Sequence, residues 1–212
     1  MKDIPVFTTE YGAATLILKE IPYQETAYII LQDSLEPQAL ARECADFCRA
    51  CGAEKIYAAG HEALTAYPFF TAMWEMSCHR ESIPDTDAAL WPVQEKTLTQ
   101  WQSIYNEKVK KVPNGAWMTK ADAEKMLETG DGYFIHRGET LLGIGRASSD
   151  RISWVASLAP GAGADVVKAL AHAATEDTIS LTVASTNQKA VDLYERLGFL
   201  RTAEISKWYK MR

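Results

Sequence analysis

At 212 residues, 47% hydrophobic and 24% charged, the chain can bury ~70% of its unfolded surface and is neither disordered nor collagen-like in composition. A formal net charge of -6 lacks the basic excess of a dedicated nucleic-acid binder, and no apolar run approaches the ~18 residues of a membrane span. The opening MKDIPVFTTEYG has no charged-then-apolar leader pattern, so a cytoplasmic protein with neither nucleic acid nor membrane as partner is expected.

Residues 1–87 carry packed elements and not a linker. AYIILQ at 27–32 is β-prone, a helix is predicted from about Pro37 to Cys51, and EKIYAAG and AMWEMSCH follow as further packed segments. Within the helix Leu40, Cys44, Phe47, Cys48 and Cys51 fall on one stripe closed by Gly52. The same cysteines read C-x3-C-x2-C, the spacing by which radical S-adenosylmethionine enzymes hold an iron–sulfur cluster. A cluster needs a loop that wraps it, whereas these thiols sit on one helical face, so structural cysteines are expected. Cys78 stands apart, and four reduced thiols suit a reducing compartment. His61 reads as a surface histidine.

From residue 88 the elements are clearer. Leu98, Trp101, Tyr105 and Val109 mark an amphipathic helix that Pro113-Asn114-Gly115 ends by turn chemistry. Thr119 with Asp122 is an acidic variant of the capping box, opening a second helix through about Glu128 that Gly130-Asp131-Gly132 closes. YFIHR, TLLGIGRAS and RISWVASL read as three successive antiparallel strands, parted by Gly138-Glu139 and Ser149-Asp150. A helix from about Ala164 has Val166, Val167, Leu170 and Ala174 on one face; a strand over 179–184, a helix over 188–197 and the strand-like EISKWYKM complete the chain. At an offset of about 124 positions Tyr28 meets Ile152 and Ile56 meets Ser180, so strand, helix and strand recur in both halves. A degenerate repeat and a coincidental βαβ likeness both accommodate that recurrence.

The stretch TVASTNQKAVDLYERLGF, 182–199, carries the chemistry. Ser185-Thr186-Asn187 is a cluster of helix-capping side chains, and Ala190, Leu193, Tyr194 and Leu197 follow at i, i+3, i+4 and i+7, with Gly198 as the left-handed cap. Tyr194 therefore faces inward, either as a packing aromatic or as a proton donor. Read as N-x-x-A-x-x-L-Y-x-x-x-G-F, with Asn187, Ala190, Leu193, Tyr194, Gly198 and Phe199 at the specified positions, the stretch resembles the C-terminal signature of the GCN5-related N-acetyltransferases. The resemblance covers roughly residues 88–212, whose element order matches that fold. It implies an α/β (α+β) protein with a mixed, mostly antiparallel central sheet flanked by helices, an acetyltransferase domain at 88–212 and a smaller αβ half at 1–87.

By the same resemblance, acetyl-CoA is the cosubstrate, Asn187 holds its pantetheine arm and Tyr194 is the general acid at the departing sulfur. A thiol has a pKa of ~8.5 and a phenol of ~10, so such a phenol stays protonated at rest and is available to the thiolate. Ser157-Leu158-Ala159-Pro160-Gly161-Ala162-Gly163-Ala164 follows a strand and precedes a helix, as the family's Q/R-x-x-G-x-G/A pyrophosphate loop does. The implied coenzyme contacts are Asn187, Val155, Ser157, Leu158, Gly161, Ala162, Gly163 and Ala164. Two residues depart from the pattern: Leu158 replaces Gln or Arg, and Asp165 puts a negative charge near the phosphates, which Lys168 is placed to offset. ISWVAS and LTVAS hold no carboxylate, leaving His136, Glu139, Asp150 or a water chain as base. The acceptor pocket is expected around Tyr105, Asn106 and Tyr133. The expected activity is attack of a small-molecule or peptide amine on the thioester, with no metal; a catalytically weak acyl-CoA-binding or regulatory module is the alternative.

Overall fold

The computed structural model describes residues 1–211, which form two compact units, Met1–Met73 with the chain from Ile205 onward, and Trp74–Glu204. Relative to segments 1–87 and 88–212, residues 74–87 pack with the second unit and 205–211 with the first. Strand periodicity carries no mark of that exchange, because an alternating segment reads the same whichever sheet it joins.

In the first unit β1 (Ile4–Thr9) and β2 (Gly12–Ile17) form an antiparallel hairpin that the sequence pattern did not reveal. A short α1 (Ile21–Gln24) leads to β3 (Thr26–Ser34), α2 (Pro37–Ala50) and β4 (Lys55–Ala59). β3 and β4 are parallel, with α2 as the crossover, and the C-terminal strand pairs antiparallel to β4, Tyr209 opposite Ala58. Pro37 opens α2 where its missing N–H costs nothing, and Gly52 at φ +95° follows its end. The helix buries Leu40, Ala41, Cys44, Ala45 and Cys48. Burial pushes the Cys44 thiol up to about 11 and Cys48 up to about 12. These are core side chains, and no group of three His, Cys, Asp or Glu residues that could hold a metal exists among the described residues.

The second unit takes the later residues of β5 (Phe69–His79) and then β6 (Ala89–Pro92), α3 (Glu95–Val109), α4 (Lys120–Thr129), β7 (Gly132–Arg137) and β8 (Thr140–Ala147). After these come β9 (Arg151–Ser157), α5 (Gly163–Ala173), β10 (Thr178–Ala184), α6 (Gln188–Arg196) and the first residues of β11 (Leu200–Met211). Its strand order is β5-β10-β9-β8-β7-β6: β6 to β9 are antiparallel neighbours, and β9 and β10 run parallel. The capping box of α4 forms, Asp122 N–H donating to Thr119 Oγ1 at 3.2 Å and Thr119 N–H to Asp122 Oδ2 at 2.9 Å.

Two glycines on β8 decide where α5 lies. A Cβ on Gly143 would meet Val166 Cγ2 at 2.7 Å, and one on Gly145 would meet Leu170 Cδ1 at 2.3 Å. Without those atoms α5 settles directly on the sheet, burying Val166, Val167 and Leu170. The first turn of α5 is thereby fixed close to the end of β9. Among the described residues no helix is long and apolar enough to cross a membrane.

Candidate functional site

The site begins where two parallel strands part. β9 and β10 pair through Arg151 opposite Ser180 and Ile152 opposite Leu181, and their register ends there although β9 continues to Ser157 and β10 to Ala184. On its other edge β9 stays joined to β8, with Val155 opposite Gly145 and Ser157 opposite Gly143. Ile152 is buried, whereas Trp154 to Ser157 are all half-buried, as expected of a strand whose inner edge opens onto a slot. Peptide groups along such an edge are hydrogen-bonding partners for whatever enters.

The loop after β9 closes one end of the slot. Leu158 and Ala159 both donate their N–H to Leu142 O, at 2.8 and 3.2 Å, and Ser157 Oγ donates to Ala159 O at 2.9 Å. Leu158 also packs against the buried cluster of Trp101, Tyr105 and Ile144, as do Trp154 and Ala156. The Ser157 hydroxyl and the Leu158 amide thus hold the loop itself. Gly161, at φ +76°, turns the chain into α5, with nothing within 4 Å of the position a Cβ would take. The amides of Gly163, Ala164 and Asp165 donate to no backbone carbonyl, the first bond of the helix being Val166 N–H to Ala162 O at 3.0 Å, and no side chain caps the end. Converging amides at the positive end of a helix dipole form an anion seat.

Asp165 does not oppose that seat as the sequence suggests, and Lys168 is not its partner. Arg137, from the end of β7, places Nη2 3.1 Å from Asp165 Oδ2, and Thr86 Oγ1 lies 3.4 Å from Oδ1. The same guanidinium reaches Asp87 Oδ1 at 2.7 Å and holds the Asp87 carboxyl below its ordinary range. An arginine distant in sequence therefore neutralises the acidic first turn.

At the far end of β10, Asn187 begins α6, its carbonyl accepting from Ala190 N–H at 2.9 Å and Val191 N–H at 3.1 Å. Its side chain makes no cap bond, contrary to the capping role read from the sequence, which leaves the carboxamide uncommitted. Tyr194 is 8% exposed and belongs to the same buried cluster as Ala162, Val166 and Val183, against which Val155 and Ala164 also pack. Its ring centroid lies 5.9 Å from that of Phe199. Burial pushes the phenol up to about 12. Next to it, Leu193 approaches the start of α5: a Cβ on Gly163 would stand 3.2 Å from Leu193 Cδ2.

The residues expected to build an acceptor pocket have structural duties. Tyr105 Oη donates to Ala116 O at 3.0 Å; Asn106 is buried, its Nδ2 donating to Met118 O at 3.0 Å and its Oδ1 accepting from Met118 N–H at 2.9 Å. Both pin the segment entering α4. The Tyr133 carbonyl accepts from Trp101 Nε1 at 2.9 Å. Sequence reading missed the aromatic group that lies against β9: Trp154 sits 4.4 Å from Tyr105 and 6.1 Å from Trp101, ring centroid to centroid. Of the base candidates, Asp150 precedes β9 and lines a cavity with Glu176 and Asp177 at the end of the strands opposite the slot. His136 faces Trp91 at 5.5 Å in a trough of about 420 Å³ along β6 and β7, and Glu139 is exposed in the turn before β8.

No family model and no curated protein matches the chain. Solved structures do. A functionally unknown conserved protein from Staphylococcus epidermidis superposes with a TM-score of 0.61 at 11% identity, covering 96% of this chain and 91% of that one. A GNAT-family acetyltransferase from Colwellia psychrerythraea gives 0.56 at 14% identity, covering 98% of this chain and 84% of that one. A GCN5-related N-acetyltransferase from Sphaerobacter thermophilus also gives 0.56, at 11% identity, covering 94% and 76%. A tandem GNAT protein from the clavulanic acid biosynthesis pathway gives 0.50 at 11% identity, covering 94% and 78%. At these identities the likeness establishes the fold: a GCN5-related N-acetyltransferase fold with a mixed sheet flanked by helices.

Proposed function

We propose that the chain is an acetyl-CoA-dependent N-acetyltransferase acting on a small-molecule or peptide amine. One conjunction carries this reading: strands that part after Ile152 and Leu181, ending at a helix start whose amides are uncommitted, with a buried phenol in the same cluster. The residues present fit the coenzyme. Gly163, Ala164 and Asp165 offer amides to a pyrophosphate, Arg137 holds the Asp165 charge, Asn187 offers a free carboxamide to the pantetheine amides, and the edge of β9 around Val155 supplies backbone partners along the slot.

The chemistry asked of the protein is modest. The amine nitrogen forms its bond to the acyl carbon as the carbon–sulfur bond breaks; Tyr194 gives its proton to the departing sulfur, and the nitrogen loses one to water. A phenol pushed up to about 12 is protonated throughout the physiological range. Burial that raises the phenol also raises a thiol leaving beside it, which keeps the two proton affinities comparable. A β9 amide directed at the thioester oxygen would stabilise developing negative charge, an effect of ~3 kcal/mol in such sites.

The test is thiol release from acetyl-CoA with a panel of amines. Turnover that Tyr194→Phe removes, with acetyl-CoA affinity intact, supports the enzyme. Commitment of the Leu158 amide to Leu142 favours a second reading, a weak acyl-CoA-binding module. Tight binding without turnover on any amine would sink the first reading in favour of the second.

A further inference from the structure

The two units share a core in register. In the first, Ala27 pairs with Ile56 and Tyr28 with Tyr57; a shift of 124 positions carries these pairs onto Arg151 with Ser180 and Ile152 with Leu181 in the second. The crossover helices α2 and α5 correspond under the same shift to within a few residues. Matching both partners of two parallel pairs demands more than a shared strand-helix-strand order.

The two cores differ where the second one opens. β3 and β4 remain paired from Thr26 opposite Lys55 to Ile30 opposite Ala59, the last residue of β4. Beyond that, a Cβ on Gly60 would meet Leu31 O at 2.3 Å, so the two backbones still touch where β9 and β10 have parted. Across this closed pair lies an aromatic stack, with Tyr57 3.9 Å from Phe70, Tyr28 5.8 Å from Tyr57 and Tyr28 5.4 Å from Trp208. The entry to α2 makes a poorer anion seat than that of α5: the amides of Gln38 and Ala39 donate to no backbone carbonyl, but the third first-turn amide is missing. Leu35 and Glu36 spend their amides on Tyr11 O, at 2.9 and 3.4 Å; Pro37 has none; and the Glu36 carboxylate stands at the helix start. Where α6 follows β10, the first unit has a short turn, Glu62–Ala66, capped by His61 Nδ1, which accepts from Ala63 N–H at 3.1 Å.

We infer that the first unit is a second copy of the coenzyme-binding core whose cleft is zipped shut, so that each chain holds one acyl-CoA, in the second unit. The inference rests on the coenzyme reading above. Titration calorimetry of the full chain with acetyl-CoA is expected to give one equivalent, and Gly161→Val is expected to remove it. Two equivalents would overturn the inference and leave the coenzyme reading standing; no binding would overturn that reading, and the count of one with it. Hydrogen exchange of the unmodified chain keeps the test independent of the variant's folding. Acetyl-CoA should protect residues 155–164 and 185–194 and leave 31–40 unchanged, and protection over 31–40 would refute the closed cleft.

Discussion

Gly163 and Leu193 meet closely enough that a single methyl group on the glycine would stand 3.2 Å from Leu193 Cδ2. The start of α5 and the Leu193 side chain of the helix of Tyr194 therefore lie close together. Gly163→Val should push them apart, raising KM for acetyl-CoA while the chain still unfolds in a single cooperative thermal transition. A variant with unchanged KM would show that the junction does not shape the site.

Tyr194→Phe keeps the ring contact with Phe199 and removes only the oxygen. A fall in kcat of ~10²- to 10⁴-fold with near-unchanged acetyl-CoA affinity is expected, read by steady-state kinetics and calorimetry. The phenol also has a stability signature. Its pKa is raised to about 12 in the folded chain, against ~10 unfolded, so its contribution is complete below pH ~10 and is lost as pH rises towards 12. Denaturation midpoints followed from pH 9 to 12 should fall less steeply in the phenylalanine variant.

Arg137→Ala should weaken acetyl-CoA binding by up to about fivefold, the scale of an exposed ion pair, because Asp165 is then left uncompensated beside the proposed pyrophosphate seat. Adding Asp165→Asn should restore affinity. Failure of the second substitution to rescue would mean that Arg137 acts in some other way.

Asn106→Ala would strand the buried N–H of Met118, whose carbonyl still accepts from Gln102 Nε2, at a cost of ~1–3 kcal/mol in unfolding free energy by denaturant titration. Catalytic parameters of the folded fraction should survive, since the side chain serves the α3–α4 connection.

Cys51 is half-buried, whereas Cys44, Cys48 and Cys78 are buried with thiols pushed up to about 11, 12 and 11. A disulfide reagent at pH 8 should modify Cys51 in the native protein and the other three on unfolding. Rapid native reaction of all four would refute the helical packing of α2.

The elements around Tyr194 were legible because they are local: apolar spacing from Ala190 to Leu197, then Gly198 at φ +90°, and a capping box at Thr119. The recurrence of strand, helix and strand at an offset of about 124 positions was legible too, through Tyr28 with Ile152 and Ile56 with Ser180, but the pairing of Ala27 with Ile56 and of Arg151 with Ser180 was not. What stayed hidden depends on partners far along the chain. Arg137 and Asp165 are joined by the fold alone, as are Asn106 and Met118. β6 was missed because four residues ending in Pro92 carry too little alternation to read. The capping role assigned to Asn187 failed for a different reason: residue type gives a cap propensity, and here the side chain is left unbonded.

The antiparallel pairing of Tyr209 with Ala58 has a consequence for synthesis. The sheet of the first unit is missing its neighbour to β4 until the whole second unit has left the ribosome. Its nascent edge would stay open to wrong pairing during translation, and deleting residues 205–212 should expose that edge permanently, giving aggregation at concentrations where the full chain is soluble.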